Sequence, residues 1–401
     1  MSDWRFPATD AGAFLPSYFA RRDESGPAVW RGVAAKAFGC RVSVIVFHAM
    51  ENMLPQCGKN SGVADLLPLL LASGEELTRL YARADAVRRE YCGEAVPVRA
   101  ILEFSNYCAN ECLYCGLRAE NAVPTRYRMS ADDILAAVDQ IAATGVAGTV
   151  VLQAGETPGY SDDEISALLR RIKAAHPALA ITLSVGNRPR AVYARWREAG
   201  MDRYLLRFET SDPELYARLH PNGSLAERLQ CLRDLRAVGV QTGSGFMIGL
   251  PGETLPTLAR NILLCREFDL DMIGSGPYIP NPDTPLGAEP NAYADDPEMF
   301  FRAIAVLRLV NPAAHIPATT AFDAVFPGGR DLVLQRGANV FMPNATPTSL
   351  RRDYQLYPGK PNVDESAAQF ADRAVARLRA IGRPVAAGPS HSLKRPPPEQ
   401  E

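Results

Sequence analysis

The chain has 401 residues, with 43 Lys+Arg against 45 Asp+Glu and a formal net charge of −2. Apolar residues at 47% and charged residues at 22% exclude global disorder, and the balanced charge advertises no nucleic-acid partner. The start Met1-Ser-Asp-Trp has no apolar signal core, no run of ~18 apolar residues could span a membrane, and eight cysteines without a secretory signal do not form a disulfide framework. A reduced, cytoplasmic protein with no membrane partner is expected.

Residues 1–97 read as an N-terminal extension with helices. Trp4, Trp30 and the apolar patch Val42–Phe47 stand among scattered Gly and Pro. From Gly74 to Tyr91 the residues Leu77, Leu80, Tyr81, Ala84 and Val87 recur at helical spacing. A rhythm starts at Val98. Short β-type runs fall at Val98–Phe104, Gly148–Leu152, Ala180–Val185, Arg203–Phe208, Thr242–Ile248, Met272–Tyr278, His315–Thr319 and Asn339–Met342. Helical segments between them include Ser130–Thr144, Ser161–Ala175, Pro189–Ala199, Pro213–His220, Leu225–Val238, Thr254–Phe268 and Pro297–Leu309. Ser130 and Ser161, each followed by acids, are helix-start signals, and Gly145, Gly200 and Gly239 stand where helices should stop. This alternation predicts an α/β fold over residues 98–385, either a (β/α)8 TIM-type barrel or an open parallel sheet of similar connectivity. Residues 386–401, with Gly-Pro-Ser and Pro-Pro-Pro, read as a disordered tail.

The most informative segment is Phe104-Ser-Asn-Tyr-Cys108-Ala-Asn-Glu-Cys112-Leu-Tyr-Cys115-Gly. It follows the first β-run, so it lies at the carboxyl end of strand one, where barrels place their chemistry. Three thiolates in one loop can converge on a small cluster but cannot complete a four-cysteine zinc or iron–sulfur site. One iron would stay open to an exogenous ligand. The competing readings are a zinc site finished by a distant His and chance spacing.

Cys-x3-Cys-x-aromatic-Cys, with Tyr114 as the aromatic, resembles the signature of the radical S-adenosylmethionine (SAM) enzymes. The resemblance implies one [4Fe–4S] cluster on Cys108, Cys112 and Cys115, whose open iron chelates S-adenosyl-L-methionine. One electron then cleaves SAM to methionine and a 5′-deoxyadenosyl radical. Gln153-Ala-Gly155-Glu156 resembles the Gly-Gly-Glu motif for the SAM amino group, with Ala154 in place of the first Gly. A carboxylate suits an ammonium there; a helix-start acid is the plainer alternative. Arg207 and Glu209 share one strand face and Phe208 takes the other. Opposite charges facing a barrel interior need partners, and a structural ion pair would also meet that need. Gly243-Ser-Gly-Phe-Met-Ile-Gly-Leu-Pro-Gly252 resembles the strand-five glycine motif beside the adenine; a loop needing positive φ is the alternative.

Over about Val98 to Lys360 the chain is similar to the HydE family of [FeFe]-hydrogenase maturases, with methylornithine synthase and biotin synthase as relatives. Asp202-Arg-Tyr-Leu-Leu-Arg-Phe-Glu-Thr, Pro317-Ala-Thr-Thr-Ala, Pro327-Gly-Gly-Arg and Tyr354-Gln-Leu-Tyr-Pro-Gly-Lys360 carry that similarity. It implies a complete (β/α)8 barrel. It assigns Tyr114, Gly155 and Glu156 to the cofactor, Glu209 to the ribose and Arg228 to the SAM carboxylate. It places Tyr354, Tyr357 and Arg207 as catalytic groups and Gln153, Met272, Thr319 and Thr320 as substrate contacts. The implied activity is assembly of the diiron subcluster of [FeFe]-hydrogenase by radical attack on an iron-bound cysteine, a small-molecule substrate. Reduced ferredoxin or flavodoxin would supply the electron, and other hydrogenase maturases would be partners. The alternatives are a mutase or biosynthetic enzyme on an amino acid, like methylornithine synthase, and a non-catalytic iron–sulfur carrier.

Three departures stand out. Asn187 occupies a position where that family usually has Glu, on the loop after strand three, which bears on the substrate. Phe208 stands where the family usually has His. Residues 361–370 contain no Cys, so no accessory cluster is expected. Cys231 and Cys265 read as structural, Cys40, Cys57 and Cys92 precede the barrel, and His48, His176, His220, His315 and His391 show no ligand spacing.

Overall fold

Two helices, α1 (Val63–Leu70) and α2 (Gly74–Cys92), precede the first strand. The computed structural model describes residues 60–156, 159–360 and 364–395. The expectations for Trp4, Trp30, Cys40, Val42–Phe47, His48 and Cys57 lie outside the described residues.

Strands then alternate with helices. They are β1 (Arg99–Ser105), β2 (Thr149–Ala154), β3 (Ala180–Ser184), β4 (Arg203–Leu205), β5 (Gln241–Ser244), β6 (Met247–Ile248), β7 (Met272–Ile273), β8 (Gly276–Pro277), β9 (Pro317–Ala318) and β10 (Val340–Phe341). The first helices between them are α3 (Ala131–Ala143), α4 (Asp162–Ala175), α5 (Arg190–Glu198), α6 (Pro213–Leu219), α7 (Leu225–Ala237), α8 (Leu255–Glu267) and α9 (Glu298–Val310). Ser130 and Ser161 cap α3 and α4 as expected: their hydroxyls accept from Asp133 N and Glu164 N at 3.1 and 3.2 Å.

Six strands form one parallel sheet in the order β1-β2-β3-β4-β5-β7. Apolar runs buried on both faces are what a parallel sheet covered by crossover helices requires. A second parallel pair, β9–β10, meets the sheet at both edges through isolated bridges. Met272 pairs with His315 on one side; Val98 and Ile101 pair with Phe341 and Asn344 on the other. The fold is α/β with a parallel sheet, and a 12-residue run of α9, Met299–Val310, is wholly buried. A helix buried on every face needs cover on every face. Helices α1, α2 and α8 supply it on the outer side.

Two of the expected strands break in mid-course. Thr242–Ile248 splits into β5 and β6, and Met272–Tyr278 into β7 and β8. The break is at Gly245 and Gly274, where the two backbones close up: a Cβ on Gly245 would lie 2.0 Å from the Gly274 carbonyl oxygen. The outer halves then pair separately, β6 with β8.

The segment read as a disordered tail is ordered from 386 to 395; residues 396–401 lie outside the described residues. Its carbonyls satisfy buried donors at the amino ends of the strands. Pro389 O accepts from Arg203 Nη2 at 2.8 Å and Thr149 Oγ1 at 3.1 Å, and Ser392 N donates to Gln241 Oε1 at 3.0 Å. Buried polar groups need such partners, and composition alone does not reveal the need. Among the described residues no helix is long and apolar enough to cross a membrane.

Candidate functional site

The cysteine loop leaves the carboxyl end of β1 and is tied down from three directions. Ala109 N donates to Glu156 O (2.7 Å), Leu113 N to Leu219 O (3.0 Å) and Gly116 N to Leu356 O (3.1 Å). Two glycines allow these approaches. A Cβ on Gly155 would sit 2.3 Å from Tyr107 O, and one on Gly116 would sit 2.0 Å from Gln355 O. Cys108, Cys112 and Cys115 thereby line one cavity of about 330 Å3 at the carboxyl ends of the strands.

Burial pushes all three thiols up, Cys115 to about 12, and the neighbouring cysteines add to this at Cys112 and Cys115. A bound iron reverses that balance, because a coordinating thiol is deprotonated outright. No three His, Cys, Asp or Glu side chains among the described residues could hold a single metal ion. Three thiols from one loop that line a single cavity suit the three-cysteine ligation of a cluster with one iron left open.

Tyr114 is held by a residue the sequence did not single out. Its hydroxyl lies 2.8 Å from His220 Nε2, and His220 Nδ1 lies 3.0 Å from Tyr216 O. A carbonyl only accepts, so Nδ1 carries the proton. Burial pushes the His220 pKa down to about 4, so the ring is neutral and Nε2 accepts from Tyr114.

Arg207 and Glu209 face the cavity together just beyond the end of β4, while Phe208 is buried against Phe246 at 6.0 Å between centroids. The pair is 2.9 Å apart, yet Arg207 Nη2 and Glu209 Oε2 lack hydrogen-bond geometry and are buried without hydrogen-bond partners. The contact is an ion pair within the cavity wall, and Arg207 Nε is buried without a hydrogen-bond partner. Glu209 has φ +63°, a strained value for a non-glycine residue, which turns its side chain into the cavity. Burial raises its pKa, opposed by Arg207 and Arg228.

Glu156 and Arg228 pair beside the cysteine loop at 3.2 Å and are not part of the cavity lining. Glu156 Oε2 also accepts from Asn110 Nδ2 at 3.0 Å, and Oε1 accepts from Asn187 N at 2.8 Å. Asn187 therefore stands beside this pair and not at the substrate face.

The far side of the cavity is closed by the segment after β10. Tyr354 OH accepts from Gln153 Nε2 at 3.2 Å, and Tyr357 OH lies 2.6 Å from Thr320 Oγ1. Thr319 also lines the cavity. Two polar lining residues, Glu103 and Asn344, were not among the expected site residues. Glu103, on the inner face of β1, forms a buried ion pair with Lys360, and Asn344 Nδ2 donates to its other oxygen at 2.8 Å. A charge inside an apolar strand run was the available signal for Glu103.

Met272, at the start of β7, is not among the residues that line the cavity. Its sulfur accepts from Arg99 Nη1 at 2.8 Å, outside the cavity lining.

Residues 102–264 match the model of the Radical SAM superfamily. The chain is 45% identical over 304 residues to the [FeFe] hydrogenase maturase subunit HydE of Thermotoga maritima, covering 76% of this chain and 86% of that protein. It is 30% identical over 280 residues to 3-methylornithine synthase of Methanosarcina acetivorans, covering 69% and 77%. The crystal structure of methylornithine synthase (PylB) superposes with a TM-score of 0.71 at 27% identity, over 85% of this chain and 96% of that one. With this similarity running along most of both chains, and three thiols gathered where a cluster would sit, the chain is a radical SAM enzyme of the HydE family, which works with a [4Fe–4S] cluster and S-adenosyl-L-methionine.

Proposed function

We propose that this enzyme is a maturase that takes part in assembling the diiron subcluster of [FeFe]-hydrogenase, using the SAM-derived radical on an iron-bound cysteine. The observation that carries the reading is that the three cysteines and the Tyr354–Lys360 segment, which bear the HydE resemblance, line a single cavity. Bound together, cluster and SAM supply a 5′-deoxyadenosyl radical by one-electron cleavage.

The chain's own residues then divide the work. Cys108, Cys112 and Cys115 hold one cluster, and Tyr114 and Gly155 shape the wall beside it. Glu156 takes the SAM ammonium, Arg228 its carboxylate and Glu209 the ribose hydroxyls, each a charge-assisted contact. Arg207, in the cavity wall, fixes an anionic group of the substrate. Tyr354 and Tyr357 exclude water while their hydroxyls, with Gln153, Thr319 and Thr320, offer polar contacts. The sheet, the β9–β10 pair and the bridges between them form one complete (β/α)8 barrel in this reading, spanning 98–385. A reduced ferredoxin or flavodoxin delivers the electron, and other hydrogenase maturases exchange substrate and product with this one. The cytoplasm suits a thiolate-held cluster, since thiols stay reduced there.

The 30% identity to 3-methylornithine synthase favours a second reading, an enzyme that remodels an amino acid. Arg207 would bind a substrate carboxylate as readily as a cyanide-bearing iron complex. Asn187, whose backbone N–H bonds Glu156, supports neither reading over the other. Complementation decides. In a strain lacking its HydE-type maturase, this protein with its native partners should restore hydrogenase activity; no rescue by a SAM-cleaving protein would transfer the assignment to the amino-acid enzyme.

A further inference from the structure

The Glu156–Arg228 pair leaves two buried polar atoms without hydrogen-bond partners among the described residues: the acceptor Asn187 Oδ1 and the donor Arg228 Nε. Their surroundings are otherwise satisfied. Glu156 already accepts three hydrogen bonds, from Asn187 N, Asn110 Nδ2 and Arg228 Nη2. A carboxylate offers about four lone-pair sites, whereas an alkylammonium brings three donors. Glu156 alone therefore leaves an incoming ammonium short of acceptors. Asn187 is held rigidly beside it. Its backbone is fixed by the 2.8 Å bond to Glu156, and the preceding Gly186 has φ +83°, where a Cβ would fall 2.1 Å from Glu156 Cγ.

We propose that Asn187 completes the methionine end of the SAM site: Asn187 Oδ1 accepts from the SAM ammonium while Arg228 Nε donates to the SAM carboxylate. This rests on the reading of Glu156 and Arg228 as the groups that take that end. The amide has a consequence for charge. Glu156 and Arg228 cancel, so the clamp is neutral and matches a zwitterion, which is neutral too.

The test is anaerobic equilibrium dialysis of the full-length, cluster-loaded protein against two probes, SAM and 5′-methylthioadenosine. The second keeps the adenine and ribose and lacks the amino-acid end. Asn187→Leu, which keeps the side-chain volume and removes the acceptor, should weaken SAM about 10–150-fold and leave methylthioadenosine within about twofold. Asn187→Asp keeps an acceptor and should hold SAM within about fivefold of wild type. Wild-type SAM affinity in Asn187→Leu overturns the proposal, as does an equal loss of both probes or a loss in Asn187→Asp as large as in Asn187→Leu. If the leucine variant does not load its cluster, Asn187→Ala is judged by the same two ratios. Arg228→Ala separates the two levels. Wild-type SAM affinity there refutes the underlying reading, whereas a loss there with an unaffected Asn187→Leu refutes only the role of Asn187.

Discussion

Lys360→Met isolates what the buried Glu103–Lys360 pair contributes. The two side chains are 3% and 5% exposed, so removal of the ammonium leaves a carboxylate with only Asn344 Nδ2 (2.8 Å) and Thr346 Oγ1 (3.4 Å) as side-chain partners. Breaking one side of a buried pair costs about 3–5 kcal/mol, while replacing both partners by neutral groups of similar shape is near neutral. Glu103→Gln alone should cost a comparable amount, because Lys360 keeps only Tyr354 O at 3.3 Å and the Tyr354 ring at 4.9 Å. The double variant Glu103→Gln/Lys360→Met should then recover to within about 1 kcal/mol of wild type, a coupling energy of several kcal/mol between positions 257 residues apart. The measurement is the thermal midpoint of the cluster-loaded protein at fixed scan rate, where each kcal/mol moves the midpoint of a chain this long by about 2 °C or less. Single variants that each shift it by no more than the error, or a double variant equal to their sum, would refute the argument. SAM affinity should hold in all three, since neither group contacts Glu156 or Arg228, while turnover should fall in the two variants that lack Lys360, because Lys360 holds Tyr354 in place.

Cys112→Ala should remove the cluster and SAM cleavage together, with wild type reconstituting to about four irons per chain; roughly eight irons, half surviving the substitution, would contradict a single cluster. His220 adds a pH dependence. Its folded pKa of about 4 lies below the unfolded ~6.5, so its contribution is full above 6.5 and is lost as pH falls toward 4, by about 3 kcal/mol in order of magnitude. Urea midpoints of wild type should fall more steeply over that window than those of His220→Gln, and parallel slopes would refute the neutral buried ring. Truncation after Val385 should destabilise the protein by about 3 kcal/mol or more, because Arg203 and Thr149 lose the Pro389 carbonyl and His315 loses the His391 carbonyl at 3.0 Å. An unchanged thermal midpoint would show the segment to be dispensable.

What could be read from the sequence was what depends on near neighbours along the chain. The cysteine spacing, the caps Ser130 and Ser161, and the shared face of Arg207 and Glu209 follow from local geometry, and each stands in the structure where local rules put it. The strand positions were legible for the same reason, but not their breaks. Gly245 and Gly274 each look like an ordinary loop glycine; only their contact with one another explains why β5 and β7 stop and β6 and β8 turn away.

The misreadings share one cause: depth and long-range pairing leave no periodic trace. Met272 lies outside the cavity lining, since its place in the strand gives a face and not a layer. Residues 386–395 look disordered by composition, since Gly, Pro and Ser bury little apolar surface. Their value to the fold lies in backbone carbonyls, which every residue carries and no composition records. The donors they meet, Arg203 and Thr149 at the starts of β4 and β2, are polar groups at the closed end of the strands, and a buried donor with no local acceptor requires one from elsewhere in the chain. Applied at the opposite end, the same accounting leaves Arg207, Glu209, Asn187 and Arg228 with unpaired buried atoms around the cysteine loop. At the amino ends of β2 and β4 the chain supplies these partners from its own tail, whereas beside the cysteine loop Asn187 Oδ1 and Arg228 Nε stand open to a ligand.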